Sequence, residues 1–267
     1  CRRMRRAKRF DVAIDLQSLL KSGLLAWLSG APRRIGLGSR EGSQWLMTEV
    51  VPKGGALRRI SSEYLFLAER LELDTGEFLP RLCIADAAEA KARALMAEHG
   101  LARGRFAVFA PFTTRDQKHW FEGAWQILAR RVRDELGLTP AILGGPADRE
   151  AAERIAAAAP GTVPLAGLTR LPEAAALIRQ AGLLVGVDTG LTHMSTAFGT
   201  PMVALFGSTR PYLDTGRPNG DVIWLGLECS PCRRRPTCKG AYSCLRDITP
   251  ERVMSAIRGV LAVEPAA

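Results

Sequence analysis

Three polar segments, each following a short apolar run, carry the side chains best suited to hold an anion. The first is Thr113-Thr114-Arg115-Asp116-Gln117-Lys118-His119-Trp120, after Phe106–Ala110. Two adjacent hydroxyls and a lysine ahead of a helix suit a phosphate: neutral donors position its oxygens and Lys118 supplies charge. The same residues also suit a polar loop with a helix cap and a solvated lysine. The second segment, Asp188-Thr189-Gly190-Leu191-Thr192-His193, follows Leu183–Val187. Gly190 lets a bulky anion approach the backbone where a helix begins, Thr189 is a donor, and His193 stands in the first turn. A capped helix with a partly buried histidine is the alternative. The third, Gly144-Gly145-Pro146-Ala147-Asp148, follows Ala141–Leu143. An acid after a double glycine suits ribose hydroxyls, and the helix dipole alone equally favours an acid there.

Two common nucleotide devices are missing. No G-x-G-x-x-G follows a strand pattern, which leaves a dinucleotide oxidoreductase unsupported, and no G-x-x-x-x-G-K-[ST] is present for a P-loop NTPase. Four of the six cysteines form C-x2-C-x5-C-x5-C at Cys229, Cys232, Cys238 and Cys244. Four thiolates can close a tetrahedral zinc site with no open position, so a structural role is expected rather than a catalytic one. Structural disulfides are the weaker alternative in a reducing compartment.

The elements that must position these residues alternate between short apolar strands and longer helical patterns, the rhythm of a parallel α/β fold. Strands are expected at Phe10–Leu16, Phe106–Ala110, Pro140–Leu143, Leu183–Val187 and Met202–Phe206, with a short one at Val163–Leu165. Leu19, Leu20, Leu24, Leu25 and Leu28 recur at helical spacing, and a second helix is expected near Ser61–Leu71. Further helices are expected at Ala85–His99, Glu122–Leu136, Ala147–Ala158, Leu171–Gln180 and Leu191–Phe198. Glu72–Pro80 has turn residues and no sustained period, which places a domain boundary there. The expected organisation is a partial N-terminal lobe at 1–80, a nearly complete Rossmann-like lobe at 81–247 and a C-terminal helix within 248–267 that packs back toward the N-terminal lobe.

The chain carries a net charge of +10, concentrated in two places. The first ten residues hold six basic side chains and Cys229–Gly240 hold four with no acid; the rest is balanced. This is a neutral globular body with two basic patches. A zinc-knuckle nucleic-acid module built on Arg233-Arg234-Arg235 is a distant alternative, because Tyr242 is the one nearby ring available for base stacking. The opening patch suits anionic lipid headgroups or an anionic acceptor. No apolar run reaches the ~18–20 residues of a membrane span. The stretch after the basic start is broken by Asp11, Asp15, Gln17 and Lys21, unlike a signal peptide. A cytoplasmic location, peripheral on the inner membrane, is expected.

Taken in order, Asp11–Ser22 (DVAIDLQSLLKS), Thr113–Trp120 (TTRDQKHW), Asp188–His193 (DTGLTH) and Val203–Ser208 (VALFGS) resemble the bacterial lipopolysaccharide heptosyltransferases of glycosyltransferase family 9. The resemblance runs from about Phe10 to Val260. The TTRD-x-KHW string is most similar to heptosyltransferase I, whereas the cysteines before Ile248-Thr249-Pro250 are similar to other branches. It implies a GT-B fold of two Rossmann-like lobes and a glycosyltransferase moving heptose from ADP-L-glycero-D-manno-heptose to the Kdo/lipid A inner core. The alternative within the same fold is another nucleotide-sugar or surface-glycan acceptor. No cofactor is required for transfer.

Position by position, the resemblance puts Thr113, Thr114 and Lys118 on the donor diphosphate, with Asp188, Thr189, Gly190 and His193 on its second side. Asp148 matches an acid near the nucleoside and Thr169 a residue lining the adenosine pocket. Lys21 and Arg40 match acceptor-side positions. The family's general base follows the first strand of the N-terminal lobe. Because Phe10–Leu16 matches a later strand, that base is expected to precede this sequence, with Val12, Ile14 and Leu16 covered by the same absent strands. The 267 residues alone are therefore expected to bind donor without transferring sugar.

Overall fold

The computed structural model describes residues 10–56, 59–76, 78–232 and 235–263. The basic opening and Arg233 and Arg234 lie outside them. The chain divides into two compact units, one formed by residues up to 57 with Ser61–Phe78, the other by Arg58–Ile60 with everything from Leu79 onward.

The first unit is a three-stranded parallel sheet. Its strands β1 (Val12–Asp15), β2 (Arg33–Leu37) and β3 (Glu49–Val51) pair in the order β1-β2-β3. Helix α1 (Leu20–Leu28) connects the first two, and a 3-10 turn at Ser43–Leu46 precedes the third. Helix α2 (Ser62–Arg70) closes a small core in which Leu67 meets Ile35, Leu37 and Val51. The leucine spacing of α1 correctly marks a helix but not its buried face. Gly23 is its one buried residue, because Ser43 approaches so closely that a Cβ on Gly23 would stand 2.8 Å from the Ser43 Cβ. Leu20, Leu24, Leu25 and Trp27 stay exposed, as do Val12, Ile14 and Leu16.

The second unit is a six-stranded, wholly parallel sheet covered on both faces. Helix α3 (Asp86–Glu98) leads into β4 (Phe106–Ala110), α4 (Glu122–Leu136) and β5 (Thr139–Ile142). Then come α5 (Arg149–Ala158), β6 (Val163–Pro164), α6 (Leu171–Gln180) and β7 (Leu183–Val187). The last elements are α7 (Gly190–Phe198), β8 (Met202–Phe206), β9 (Gly220–Trp224), α8 (Ser243–Arg246) and α9 (Pro250–Leu261). The strand order is β6-β5-β4-β7-β8-β9. From β4 the chain winds outward through β5 to β6, then returns to β7 and winds outward the other way. The junction of β4 and β7 is thus a topological switch point, where parallel sheets leave a crevice beyond the strand ends.

Strands β4, β7 and β8 are buried at every position, which matches their unbroken apolar sequences. Phe109, Trp120 and Trp125 pack together on one face, where the Trp120 indole N–H donates to the Ile248 carbonyl at 3.0 Å. Phe106, Leu177 and Phe206 fill the other face. The expected C-terminal helix is α9, but its apolar residues Val253, Met254, Ile257 and Val260 are buried in the core of this second unit. A side chain at Gly186 would collide with the Thr192 hydroxyl and crowd Ala110, so its absence lets α7 pack tightly against β7. Thr192 then donates to the Val187 carbonyl at 2.6 Å and fixes the entrance to α7. Among the described residues, no helix is long and apolar enough to cross a membrane.

Candidate active site

The polar segments after β4, β5 and β7 come together at the carboxyl ends of those strands. They border a cleft of about 730 Å³ lined by Thr113, Thr114, Asp148, Thr169, Thr189 and Gly190 among others. The remaining three expected donor residues, Lys118, Asp188 and His193, form an adjoining ionic cluster. Lys118 sits in a 3-10 turn at Asp116–Lys118, and its ammonium contacts an Asp188 carboxylate oxygen at 2.5 Å. It also donates to the Asp188 carbonyl at 3.3 Å. The other carboxylate oxygen lies 3.4 Å from His193 Nε2, while the Thr209 hydroxyl donates to the first at 2.6 Å.

Burial opposes the charge on Asp188, but hydrogen bonds from His193, Lys118 and Thr209, with the Lys118 charge, hold its pKa well below the ordinary carboxylate value. His193 Nδ1 is 2.8 Å from the Tyr212 hydroxyl. Burial raises the pKa of that hydroxyl, and the negative charge of Asp188 raises it further. The result is an ordered set of charges beside the open N-terminus of α7. Thr189 occupies the cap position without a side-chain capping bond, so its hydroxyl is free of that duty. A Cβ on Gly190 would meet nothing within 4 Å. Free helix N–H groups, two threonines and an ammonium are the donors that a phosphate group needs.

Asp148 has a second duty that tempers its ribose assignment. Its carboxylate accepts the Gly145 N–H at 2.7 Å, closing the turn that starts α5. A Cβ on Gly144 would come within 2.6 Å of Phe112 and 3.0 Å of Asp148, so the double glycine brings the strand end and this acid together. The cleft also gains residues the sequence motifs did not flag, among them Leu171 and Arg170, whose guanidinium is held by Glu173 at 2.8 Å. Thr209 and Tyr212 went unflagged too. The signal for Thr209 was available, since it follows VALFGS at the carboxyl end of β8 as Thr113 follows β4. Tyr212 lies in an irregular loop, and no local pattern marks it. Lys21 and Arg40 belong to the first unit, where both are exposed; the Arg40 backbone N–H donates to the Ser18 carbonyl at 3.0 Å.

The cysteine segment props up the same strand end. Ser230 donates to the Gly207 carbonyl, and Cys244 and Leu245 pack so closely that a Cβ on Gly207 would stand 2.9 and 2.7 Å from them. Burial, and after it the neighbouring Cys232, Cys229 and Cys238, raises the Cys244 thiol to about 11. Among the described residues, however, no group of three or more His, Cys, Asp or Glu stands close enough to hold a metal ion. As arranged, they do not fit the expected zinc.

Comparison with known proteins bears on the family and the fold. The model of glycosyltransferase family 9 (heptosyltransferase) matches residues 1–243. Lipopolysaccharide heptosyltransferase 1 of Pseudomonas aeruginosa is 29% identical over 235 residues, 86% of this chain and 63% of its own length. The chain thus spans less than two thirds of that relative. Among solved structures, the Escherichia coli ADP-heptose lps heptosyltransferase II superposes with a TM-score of 0.74 at 26% identity, covering 97% of this chain and 78% of its own. A family 9 glycosyl transferase from Veillonella parvula gives 0.85 at 22% identity, covering 97% and 76%. The parallel α/β architecture is that of these GT-B proteins, and the chain belongs to glycosyltransferase family 9, the heptosyltransferases.

Proposed function

We propose that the chain supplies the donor site of a lipopolysaccharide heptosyltransferase that moves heptose from an ADP-heptose donor to the Kdo/lipid A inner core. The observation carrying this reading is the Lys118–Asp188–His193 cluster at the switch point, beside a cleft lined by threonines and a helix N-terminus. The nucleoside would lie in the cleft, with Asp148 toward the ribose and Thr169 toward the base. The diphosphate would lie against Thr113, Thr114, Thr189 and Gly190 and draw on the charge of Lys118.

Displacement at the anomeric carbon leaves negative charge on the departing diphosphate. Lys118 and the amides that open α7 stand ready to stabilise that charge, the part of catalysis that preorganised donors serve best. Asp188 fixes Lys118 in advance, so its ammonium needs little reorganisation when the diphosphate arrives. Lys21 and Arg40 are proposed to serve an anionic acceptor, and the protein is proposed to work on the cytoplasmic face of the inner membrane. A structural zinc at Cys229, Cys232, Cys238 and Cys244 would require these thiols to draw together. About one equivalent of zinc in chelator-free protein supports it, and under about a tenth removes it.

Calorimetry with ADP, UDP and GDP tests the donor reading. Selective ADP binding is expected; an absence of binding by ADP and by ADP-sugars overturns it.

A further inference from the structure

The loop that leaves β8 is fastened along α7, the helix whose first turn carries His193. Near the start of the loop, Thr209 donates to the Asp188 carboxylate just ahead of the helix at 2.6 Å. Further on, the Arg217 guanidinium donates to the Thr196 carbonyl at 3.2 Å, and the Asn219 side-chain amide donates to the Gly199 carbonyl at 2.8 Å. Thr196 lies in the last turn of α7 and Gly199 just past it, so the loop grips both ends of the helix. Between these ties sits Tyr212. Its ring stands edge-on to Phe206, the last residue of β8, with centroids 5.3 Å apart, and lies 5.4 Å from the His193 ring. The hydroxyl that results is fixed 2.8 Å from His193 Nδ1.

The other ring nitrogen decides which group donates in that bond. His193 Nε2 lies 3.4 Å from an Asp188 carboxylate oxygen. Hydrogen bonds and the Lys118 charge keep Asp188 ionised, and an ionised carboxylate only accepts. Nε2 must therefore carry hydrogen, because the reverse tautomer would set a bare lone pair against the carboxylate. On the neutral ring Nδ1 is then the acceptor, and the Tyr212 phenol donates to it. Burial and the Asp188 charge both raise the pKa of that phenol, which keeps its hydrogen in place.

The Nε2–H is also the most loosely held donor on Asp188. Lys118 and Thr209 reach the carboxylate at 2.5 and 2.6 Å, whereas 3.4 Å is long for a bond of this kind. The His193 side chain is 39% exposed, against 16% for Lys118. It is the donor most easily lent to an anion arriving at the start of α7.

We propose that Tyr212 is a positioning residue of the donor site: its hydroxyl donates to His193 Nδ1, keeps the ring hydrogen on Nε2 and presents that N–H to the diphosphate. The phosphate contact rests on the donor reading above. The bond between Tyr212 and His193 needs no ligand and is tested separately.

The first measurement is nitrogen NMR of ligand-free protein with isotope-labelled histidine, at a pH where titration shows the ring neutral. The chain has three histidines, and His193→Ala assigns the signal. Wild type should show a hydrogen-bearing Nε2 and a bare, hydrogen-bonded Nδ1. In Tyr212→Phe the Nδ1 shift should move toward that of an unbonded ring nitrogen, with circular dichroism unchanged. Hydrogen on Nδ1 in wild type, or an unchanged Nδ1 shift in the folded variant, overturns the proposal. The second measurement is a double-mutant cycle read by ADP titration. Tyr212→Phe should weaken binding about 3–10-fold, and the same change made in His193→Ala should cost nothing further. Equal losses in both backgrounds would mean that Tyr212 acts by packing, which overturns the proposal too. The expected NMR pattern without ADP binding by wild type defeats the donor reading, and the diphosphate role of Tyr212 falls with it. A contrary pattern with ADP binding intact defeats the role of Tyr212 alone.

Discussion

Lys118 and Asp188 come from loops after two adjacent strands, β4 and β7, and their 2.5 Å ion pair spans the point where the sheet reverses its winding. A single contact therefore ties together the two halves of the candidate donor site. Both side chains are mostly buried, which weakens solvent screening and makes the removal of either partner costly.

That pair sets an acid limit on stability. The folded-state pKa of Asp188 lies below its unfolded value, so its contribution is fully present above about pH 4 and is lost as pH falls further toward the folded value. Asp188→Asn should lower stability at pH 7 by about 1–3 kcal/mol, because Lys118 then loses its counter-charge. The variant should also lose less stability than wild type between about pH 4 and pH 2. Thermal melts across that range check both. Parallel loss in the two proteins would contradict the assignment.

Thr209 holds Asp188 from the third strand end, at 2.6 Å. Thr209→Val keeps the shape and removes the donor, leaving a carboxylate oxygen short of one bond. ADP affinity should fall several-fold, about 1 kcal/mol, with little change in melting temperature. Thr209→Ser should restore it. A serine variant as weak as the valine one would show that the hydroxyl has no positioning role.

At Gly186 the requirement is steric. Gly186→Ala would drive a methyl group into Thr192 and against Ala110 at the joint of β7 and α7. A loss of about 1–3 kcal/mol is expected from overpacking. Denaturant unfolding measures it, and a neutral result would mean that α7 can shift away from the strand without penalty.

Much of the second unit was legible because its strands are buried on both faces. Runs such as FAVFA and LLVGV leave little choice of conformation, and the strands at 106–110, 183–187 and 202–206 fall where their apolar runs do. Strand β9 escaped because Gly220 and Asp221 break its apolar run at the sheet edge. In the first unit, β2 begins with two arginines that bond to Glu49 and to the Ala31 and Leu46 carbonyls, so it does not read as apolar. The proposed donor residues were legible as polar groups at strand ends. Their division into a cleft and an ionic cluster was not, since it depends on Thr209 and Tyr212 reaching in from beyond β8.

The most direct test is calorimetric titration of ADP into wild type and into Lys118→Ala with His193→Ala. Wild type should bind ADP, and the double variant should bind at least ~10–100-fold more weakly, as expected for lost charge-assisted contacts to phosphate. Circular dichroism should show the variant folded. Undiminished ADP affinity in the folded double variant would mean that the donor diphosphate does not bind at the junction of β4 and β7.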